Sequence, residues 1–531
     1  MLDRRRYWSI FALVVVAYVA VLWIVDVLPC QDLPQHLAYA RIFRDYGSTS
    51  VRFEEFYTLP DHVEPYYTVY FLLAGLGRFM SIDAAARVVL SVFVAGSFLA
   101  LHYLVDAAHR DGKRELRDPA WPALLGGAVA FGPTTAMGFL AFMLTIPLFL
   151  AAAGALVGFM GEHRRRSDPI VLAVCALALP SLHVIAAGMF LLFVGAMLVR
   201  RRPDWKKGAF AALLTLGAVF VWGRLGGVGV GHANALDVKD AFSRGQGFDS
   251  LTILFRFSWS DPPTLLNYGM WSVFGPYRFD AIALMIVALA IAIFVAQRPW
   301  KTTAAPSACK RAAILFAIVS AVVPWGMYAP SEATFINLRM MTLAVGLLVT
   351  LLPPAWFEAR RPRLALVGLS MFMTLSFAHH AIGFSRESRS ATALIERVPD
   401  NAVLMSLPYH DKTEHFGRLF RLTHFLPMYY TVRSGGINTQ FWANYTEHLP
   451  VGYRRGKRPH HTPDWQPDKF EPSHLVASDY LLVQSPTASD PDATRKAHAS
   501  AKQTIERQAE TVACDGLWCL YRLQHDTSAQ R

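Results

Sequence analysis

Apolar positions come in long unbroken runs along this chain, and short polar segments separate them. Runs of about 20 apolar residues are the length a helix needs to cross a bilayer. Such runs lie near 7–28, 86–107, 119–136, 138–160, 168–182, 184–200, 208–224, 277–297, 312–329, 338–356 and 364–382, about eleven expected spans. The run from Tyr66 to Met80 is too short for a crossing, contains Arg78 and is rich in Tyr and Phe. It reads as a helix lying at the membrane interface, inside a loop that covers 29–85 and carries a polar helix around 34–46. A second long loop, 225–276, is glycine-rich at first and then aromatic, with Phe255, Phe257, Trp259, Trp271 and Phe274.

The basic residues orient these elements. Asp3-Arg4-Arg5-Arg6 precede the first run, which is long for a signal-peptide core and lacks a small-residue cleavage site, so a retained helix is expected with its N-terminus in the cytoplasm. Alternation then places inside the loops at 109–114, at Arg164 to Arg166, at Arg200 to Lys207, at Arg298 to Arg311 and at Arg360 to Arg363. Every basic cluster falls on one side. Counting 66–80 as a span would break that agreement. An odd number of spans puts 384–531 on the outer side.

Near Ser385 the pattern changes: charges rise, and Pro and Gly recur. Ala391 to Val398 reads as a helix, and 402–407, 480–483 and 517–521 as short buried strands. The division expected is a transmembrane part over 1–383 and a small extracytoplasmic α/β domain over 384–531, with a frayed tail after Gln524. Cys514 and Cys519 flank Asp515-Gly516, a turn signal. They read either as a hairpin-closing disulfide or as two free thiols.

Composition agrees: 53% of the 531 residues are hydrophobic and 17% charged, too apolar for a soluble chain of this length. The net charge of +12 suggests nucleic acid at first sight. The charges lie in short loops between apolar runs, and no nucleic-acid motif accompanies them. Membrane lipids are the expected surroundings.

Candidate chemistry concentrates where the first span meets water, in Cys30-Gln31-Asp32-Leu33-Pro34-Gln35-His36. Pro34 suits a first helical turn, so Asp32 stands just before a helix. It reads either as a cap for free amides there or as a carboxylate that takes a proton from an acceptor hydroxyl. His36, four residues on, shares a face with Asp32. The pair offers contacts to a divalent metal such as Mg or Mn or to an acceptor hydroxyl, against the plainer reading of a solvent-facing helical His. Asp61, His62 and Glu64 form a second polar cluster that either closes over the same cleft or is ordinary loop. Arg339 stands at the outer end of the tenth expected span. It reads equally as a planar fork for a phosphate and as an arginine snorkelling to headgroups. His183, at the tight turn between the fifth and sixth spans, either lines the same cavity or sits plainly at the interface. Arg256 and Asp261 in the second long loop are weaker candidates. Walker A, HExxH, GxSxG and zinc-type Cys/His spacings are missing from the sequence. Charges in mid-span are almost missing too, which argues against an ion-coupled transporter.

These residues resemble the polytopic GT-C glycosyltransferases. Glu64-Pro65-Tyr66-Tyr67 through Phe71-Leu72-Leu73, then Gly77-Arg78-Phe79-Met80-Ser81 and Ala84-Ala85-Ala86-Arg87, look like the interfacial helix and second-span start of the mannosyltransferase and aminoarabinose-transferase branch. Leu338-Arg339-Met340 up to Pro353-Pro354 resembles that branch's arginine-bearing late span. Gly516 to Arg522 looks like the end of its extracytoplasmic domain. The resemblance implies an all-α polytopic membrane protein with a small α/β C-terminal domain. It implies a polyprenyl-phosphate-linked sugar donor, and a glycan, lipid or protein acceptor outside the cytoplasm. Asp32 would be the general base of an inverting displacement and Arg339 the donor-phosphate contact. Asp32 is followed by Leu33, where many members have a paired acid, so the metal, if any, is unknown. Two other classes stay open: a lipid or polysaccharide transporter, and a non-catalytic scaffold built on the same fold.

Overall fold

The computed structural model describes residues 2–60, 65–111, 120–161, 164–199, 204–225, 308–323, 335–352, 359–410, 412–417, 420–442, 450–454 and 467–524, with the short pieces 257–258, 275–276, 326–327, 357 and 456–457. Asp61, His62, Glu64, Arg256, Asp261, the expected span at 277–297 and the tail after Gln524 lie outside the described residues.

The apolar runs fold as helices: α1 (Leu2–Ile24), α2 (Leu33–Asp45), α3 (Phe53–Phe56), α4 (Thr68–Leu76), α5 (Ile82–Asp111), α6 (Gly126–Ala130), α7 (Pro133–Met137), α8 (Leu140–Met160), α9 (Asp168–Leu182), α10 (Val184–Leu198), α11 (Trp205–Leu225), α12 (Ala308–Val322), α13 (Ile336–Leu348) and α14 (Arg360–Glu387). Among the described residues, α1, α5, α8 and α14 are long and apolar enough to cross a membrane; α9, α10 and α13 are shorter apolar helices. Helix α8 lies at the centre against α5 and α9. At one end of this trio Asp168 is fully buried. It accepts hydrogen bonds from Tyr103 Oη at 2.5 Å and from the Arg165 amide at 2.7 Å, with the Arg110 guanidinium at 3.7 Å. A buried carboxylate needs such partners.

The expected single span at 119–136 is not one helix. A 3₁₀ turn, Trp121–Leu125, leads into α6; the chain then breaks at Phe131 and Gly132 before α7. Pro133 has no amide to continue the ladder and forces Gly132 into extended backbone. Helix α7 ends on Gly138 in the left-handed region, at φ +79°. Residues 66–80 form a 3₁₀ turn, Pro65–Tyr67, running into α4, which stops at Gly77. One face of α4 buries Val69, Tyr70 and Leu73; the other exposes Phe71 and Leu72, and Phe79 beyond it is 86% exposed. That two-sided pattern is what an interfacial helix needs.

After α14 and the short α15 (Arg389–Ile395), the chain builds a five-stranded sheet. Its strands are β4 (Val403–Pro408), β5 (Ile437–Asn438), β7 (Tyr480–Gln484), β8 (Ala509–Asp515) and β9 (Trp518–Leu523), in the order β5-β4-β7-β9-β8. The β4 pairings are parallel, and β7-β9 and β8-β9 are antiparallel. Alternation along each strand sorts the side chains into two layers. Leu404, Leu482, Trp518 and Leu520 join the same core as the spanning helices. Met405, Leu407, Leu481, Val483 and Tyr521 pack under Ala501 and Ile505 of the last helix, α17 (Asp492–Gln508), which follows α16 (Tyr429–Ser434). Cys514 and Cys519 are disulfide-bonded across the β8-β9 hairpin, with Cα atoms 4.1 Å apart. Two two-stranded ribbons complete the fold. β1 (Tyr57–Thr58) pairs with β6 (Gly452–Tyr453), and β2 (Phe257–Ser258) pairs with β3 (Gly326–Met327). The first ribbon ties the loop after α1 to the C-terminal region.

Candidate functional site

The end of α7 at Gly138 leaves backbone carbonyls free beside the start of α2. The Gln31 amide donates to the Ala136 carbonyl at 2.8 Å and the Asp32 amide to the Met137 carbonyl at 2.9 Å. Asp32 caps α2 only through its backbone: its carbonyl accepts from the Gln35 and His36 amides, and its side chain caps nothing. The carboxylate is therefore not spent on the helix start. Its Oδ1 accepts from Gln31 Nε2 at 3.2 Å, while Gln31 Oε1 accepts from the Arg421 amide at 2.7 Å. Asp32 is 6% exposed. Burial pushes its carboxyl up to about 7; the Gln31 hydrogen bond and the charge of Arg339 pull the other way.

Arg339 enters the same site from the first turn of α13 and is 7% exposed. Its guanidinium lies over the Phe139 ring at 4.3 Å and near Phe142 at 5.6 Å. Among the described residues its buried Nε has no hydrogen-bond partner. Its charge acts on Asp32, Tyr66 and His183, yet among the described residues no carboxylate stands within 4 Å of it. An arginine snorkelling to headgroups would be exposed; this one points inward.

His183 is 2% exposed and caps α10, its Nδ1 accepting from the Ile185 amide at 3.3 Å. With Nδ1 an acceptor, the Nε2–H donates to Tyr66 Oη at 2.9 Å. Burial, then Arg339, holds this imidazole well below its usual pKa, so it is neutral. Tyr66 sits one helical turn before Tyr70, whose hydroxyl meets His36 Nδ1 at 2.8 Å. The 65–76 segment thus closes over the site through two tyrosines of i, i+4 spacing. His36 is not solvent-facing. It is 5% exposed, bound to Tyr70 and to the Gly138 backbone, edge-on to Trp442 and pushed down to about 4, first by burial. Its ring holds the roof in place. Gln35 completes the frame, donating to the Gln440 carbonyl at 2.9 Å and accepting from the Trp442 amide at 3.2 Å.

Beside Cys30 lies a small apolar cleft of about 20 Å³, lined by Leu28, Phe93, Phe131, Phe377 and Phe416 among others. It leads from the spanning helices α1, α5 and α14 toward the turn that carries Asp32.

The structure therefore brings Asp32 and His36, His183 and Arg339 together from three separate stretches of chain. The sequence reading misses Gln31, Tyr66, Tyr70 and Gly138. Gly132-Pro133 and Gly138 in an apolar run were the signal for the break, and the tyrosine spacing was the signal for the roof.

No protein-family model and no curated protein matches the chain. Solved structures do. The crystal structure of ArnT from Cupriavidus metallidurans in the apo state aligns with a TM-score of 0.55 at 12% identity, covering 98% of each chain. The one bound to undecaprenyl phosphate aligns with a TM-score of 0.52 at 10% identity, covering 97% of each. The chain has the ArnT fold. It is the fold implied by the resemblance to the aminoarabinose-transferase branch of the GT-C glycosyltransferases. With its apolar helices, that fold makes the chain a multi-pass membrane protein.

Proposed function

We propose that this chain is a membrane glycosyltransferase. It would take a sugar from a polyprenyl-phosphate donor and pass it to a hydroxyl of a glycan, lipid or protein acceptor on the outer side of the membrane, where 384–531 also lies. One observation carries the reading: a buried carboxylate and a buried guanidinium face one site under Tyr66 without closing into an ion pair. Charges kept apart at the cost of desolvation are typical of a site that waits for a charged ligand. The apolar cleft beside Cys30 marks where the start of a prenyl chain would lie against the spanning helices, and the similar ArnT structure is bound to undecaprenyl phosphate.

In the reaction, Asp32 takes the proton of the acceptor hydroxyl as its oxygen attacks the anomeric carbon. The bond from that carbon to the phosphate oxygen breaks on the opposite side, inverting the configuration, and polyprenyl phosphate leaves. Arg339 donates to the phosphate oxygens, where negative charge builds. A carboxyl near 7 suits a base working at neutral pH.

The test is release of polyprenyl phosphate from synthetic donors by protein reconstituted in vesicles. Transfer by the unaltered chain, and its loss in Asp32→Asn with folding intact, is the expected result. Full transfer by Asp32→Asn would remove the base assignment. A chain inert toward every donor and acceptor offered, yet still binding polyprenyl phosphate, would favour the scaffold reading.

A further inference from the structure

A cluster of three histidines lies outside the site just described. His379 and His380 stand in adjacent positions on α14, and the segment after β4 brings His415 onto them. Their ring nitrogens all lie within 4.8 Å of one another. Ring centroids are 5.1 Å apart for His379 and His380, 6.2 Å for His379 and His415, and 6.0 Å for His380 and His415. Two imidazoles sharing one tetrahedral zinc, with Zn–N near 2.0–2.1 Å, place their nitrogens roughly 3.3 Å apart. Side-chain torsions of an exposed His379 and a loop-borne His415 cover that difference.

The seat is shaped for this meeting. Gly383 lies one turn beyond His379 on α14, and a β-carbon there would collide with the His415 ring. Thr413 fixes the approach of the segment, donating from Oγ1 to Glu387 at 2.5 Å. Three imidazoles form a borderline-soft nitrogen set. They favour zinc and its transition-metal neighbours over Mg or Mn, which prefer oxygen.

We propose that His379, His380 and His415 bind one divalent transition-metal ion, zinc foremost, with water at the fourth position on the exposed His379 side. The ion fastens the 409–421 segment to the last spanning helix. Phe416 packs beside His380 at 6.2 Å and beside Phe384 at 6.2 Å, and it lines the apolar cleft. The clamp thus fixes one wall of that cleft. This site is independent of the glycosyl-transfer reading.

The experiment uses the full chain without a histidine tag, in nanodiscs, stripped with chelator and titrated with Zn²⁺ and with Co²⁺ as a coloured probe. One equivalent per chain is expected, with the absorption of tetrahedral Co²⁺. His379→Gln, at an exposed position, should weaken binding by about tenfold or more. His379→Gln with His415→Gln should abolish it, while His498→Gln leaves it unchanged. Circular dichroism of each stripped variant checks its fold. Equal stoichiometry and affinity in the double variant, or no tight equivalent in the unaltered chain, would overturn the site.

Discussion

Gly138 presses its backbone against the amides of Asp32 and Leu33. A β-carbon at 138 would stand 2.8 Å from the Asp32 nitrogen and 2.9 Å from the Leu33 nitrogen. The left-handed φ of +79° adds a second reason for glycine. Gly138→Ala should therefore push the Asp32 turn away from the Met137 carbonyl. The expected loss of stability is on the order of 1–3 kcal/mol, with transfer falling further than stability alone explains. Thermal melting and transfer rates on the same preparation check both.

The pH profile follows from Asp32. On the proposed mechanism Asp32 works deprotonated, so transfer should rise through about pH 7 and then level off. The stability effect has the opposite sign. A free aspartate titrates near pH 4, so the unfolded chain releases this proton first. The stability Asp32 contributes is whole below about pH 4 and fades as pH rises through about 7. Asp32→Asn should be inactive yet melt higher than the unaltered chain at pH 8, and the gap should shrink at pH 5. A lower melting point at pH 8 would contradict the burial argument.

Gln31 donates to Asp32 Oδ1 and lowers the carboxyl's pKa, which makes it a positioning residue on the proposed mechanism. Gln31→Leu removes that donor, so the midpoint of the rate profile should move to higher pH, with a lower plateau. A plateau loss without a midpoint shift would mean that Gln31 acts on folding only.

Arg339→Lys keeps the charge but loses the fork and the stacking on Phe139. Turnover should fall about 10²-fold or more. Substrate-saturation kinetics with donor analogues of different prenyl length should show the loss at every length, since the proposed contact is to phosphate.

The Cys514–Cys519 bridge closes a hairpin five residues apart in sequence. Replacing both with Ser should cost about 2 kcal/mol by the loop-closure argument. Transfer by the folded protein should not change, because the hairpin belongs to the far edge of the sheet. Hydrogen exchange confined to β8 and β9 would report the loss.

Much of this architecture was legible because membrane and sheet physics write themselves into periodicity. The long runs at 7–28, 86–107 and 138–160, the short interfacial run after Pro65 and the strands at 402–407 and 480–483 all appear where burial demands them. The failure at 119–136 is instructive. Its hydropathy is that of a span, but Gly132-Pro133 stops the hydrogen-bond ladder midway. Hydropathy counts side chains and is blind to which carbonyls are left over; those at the end of α7, before Gly138, are the ones that hold the Asp32 turn. The solvent-facing alternative for His36 fails for a related reason. A helix of low apolar content is covered by Tyr70 and Trp442, which come from distant sequence. The triple-histidine cluster left only an adjacent pair in the sequence, with its third member 35 residues away across the sheet's first strand.

The thread from Arg421 through Gln31 to Asp32 bears on chimeras. The amide that orients Gln31 belongs to the region after β4, and the core runs unbroken from α1 to Trp518. A hybrid joined near residue 384 would thus inherit the proposed base from one parent and the setting of that carboxyl from the other. Exchange of C-terminal regions between relatives is a transplant of the reaction's pH response along with any recognition surface.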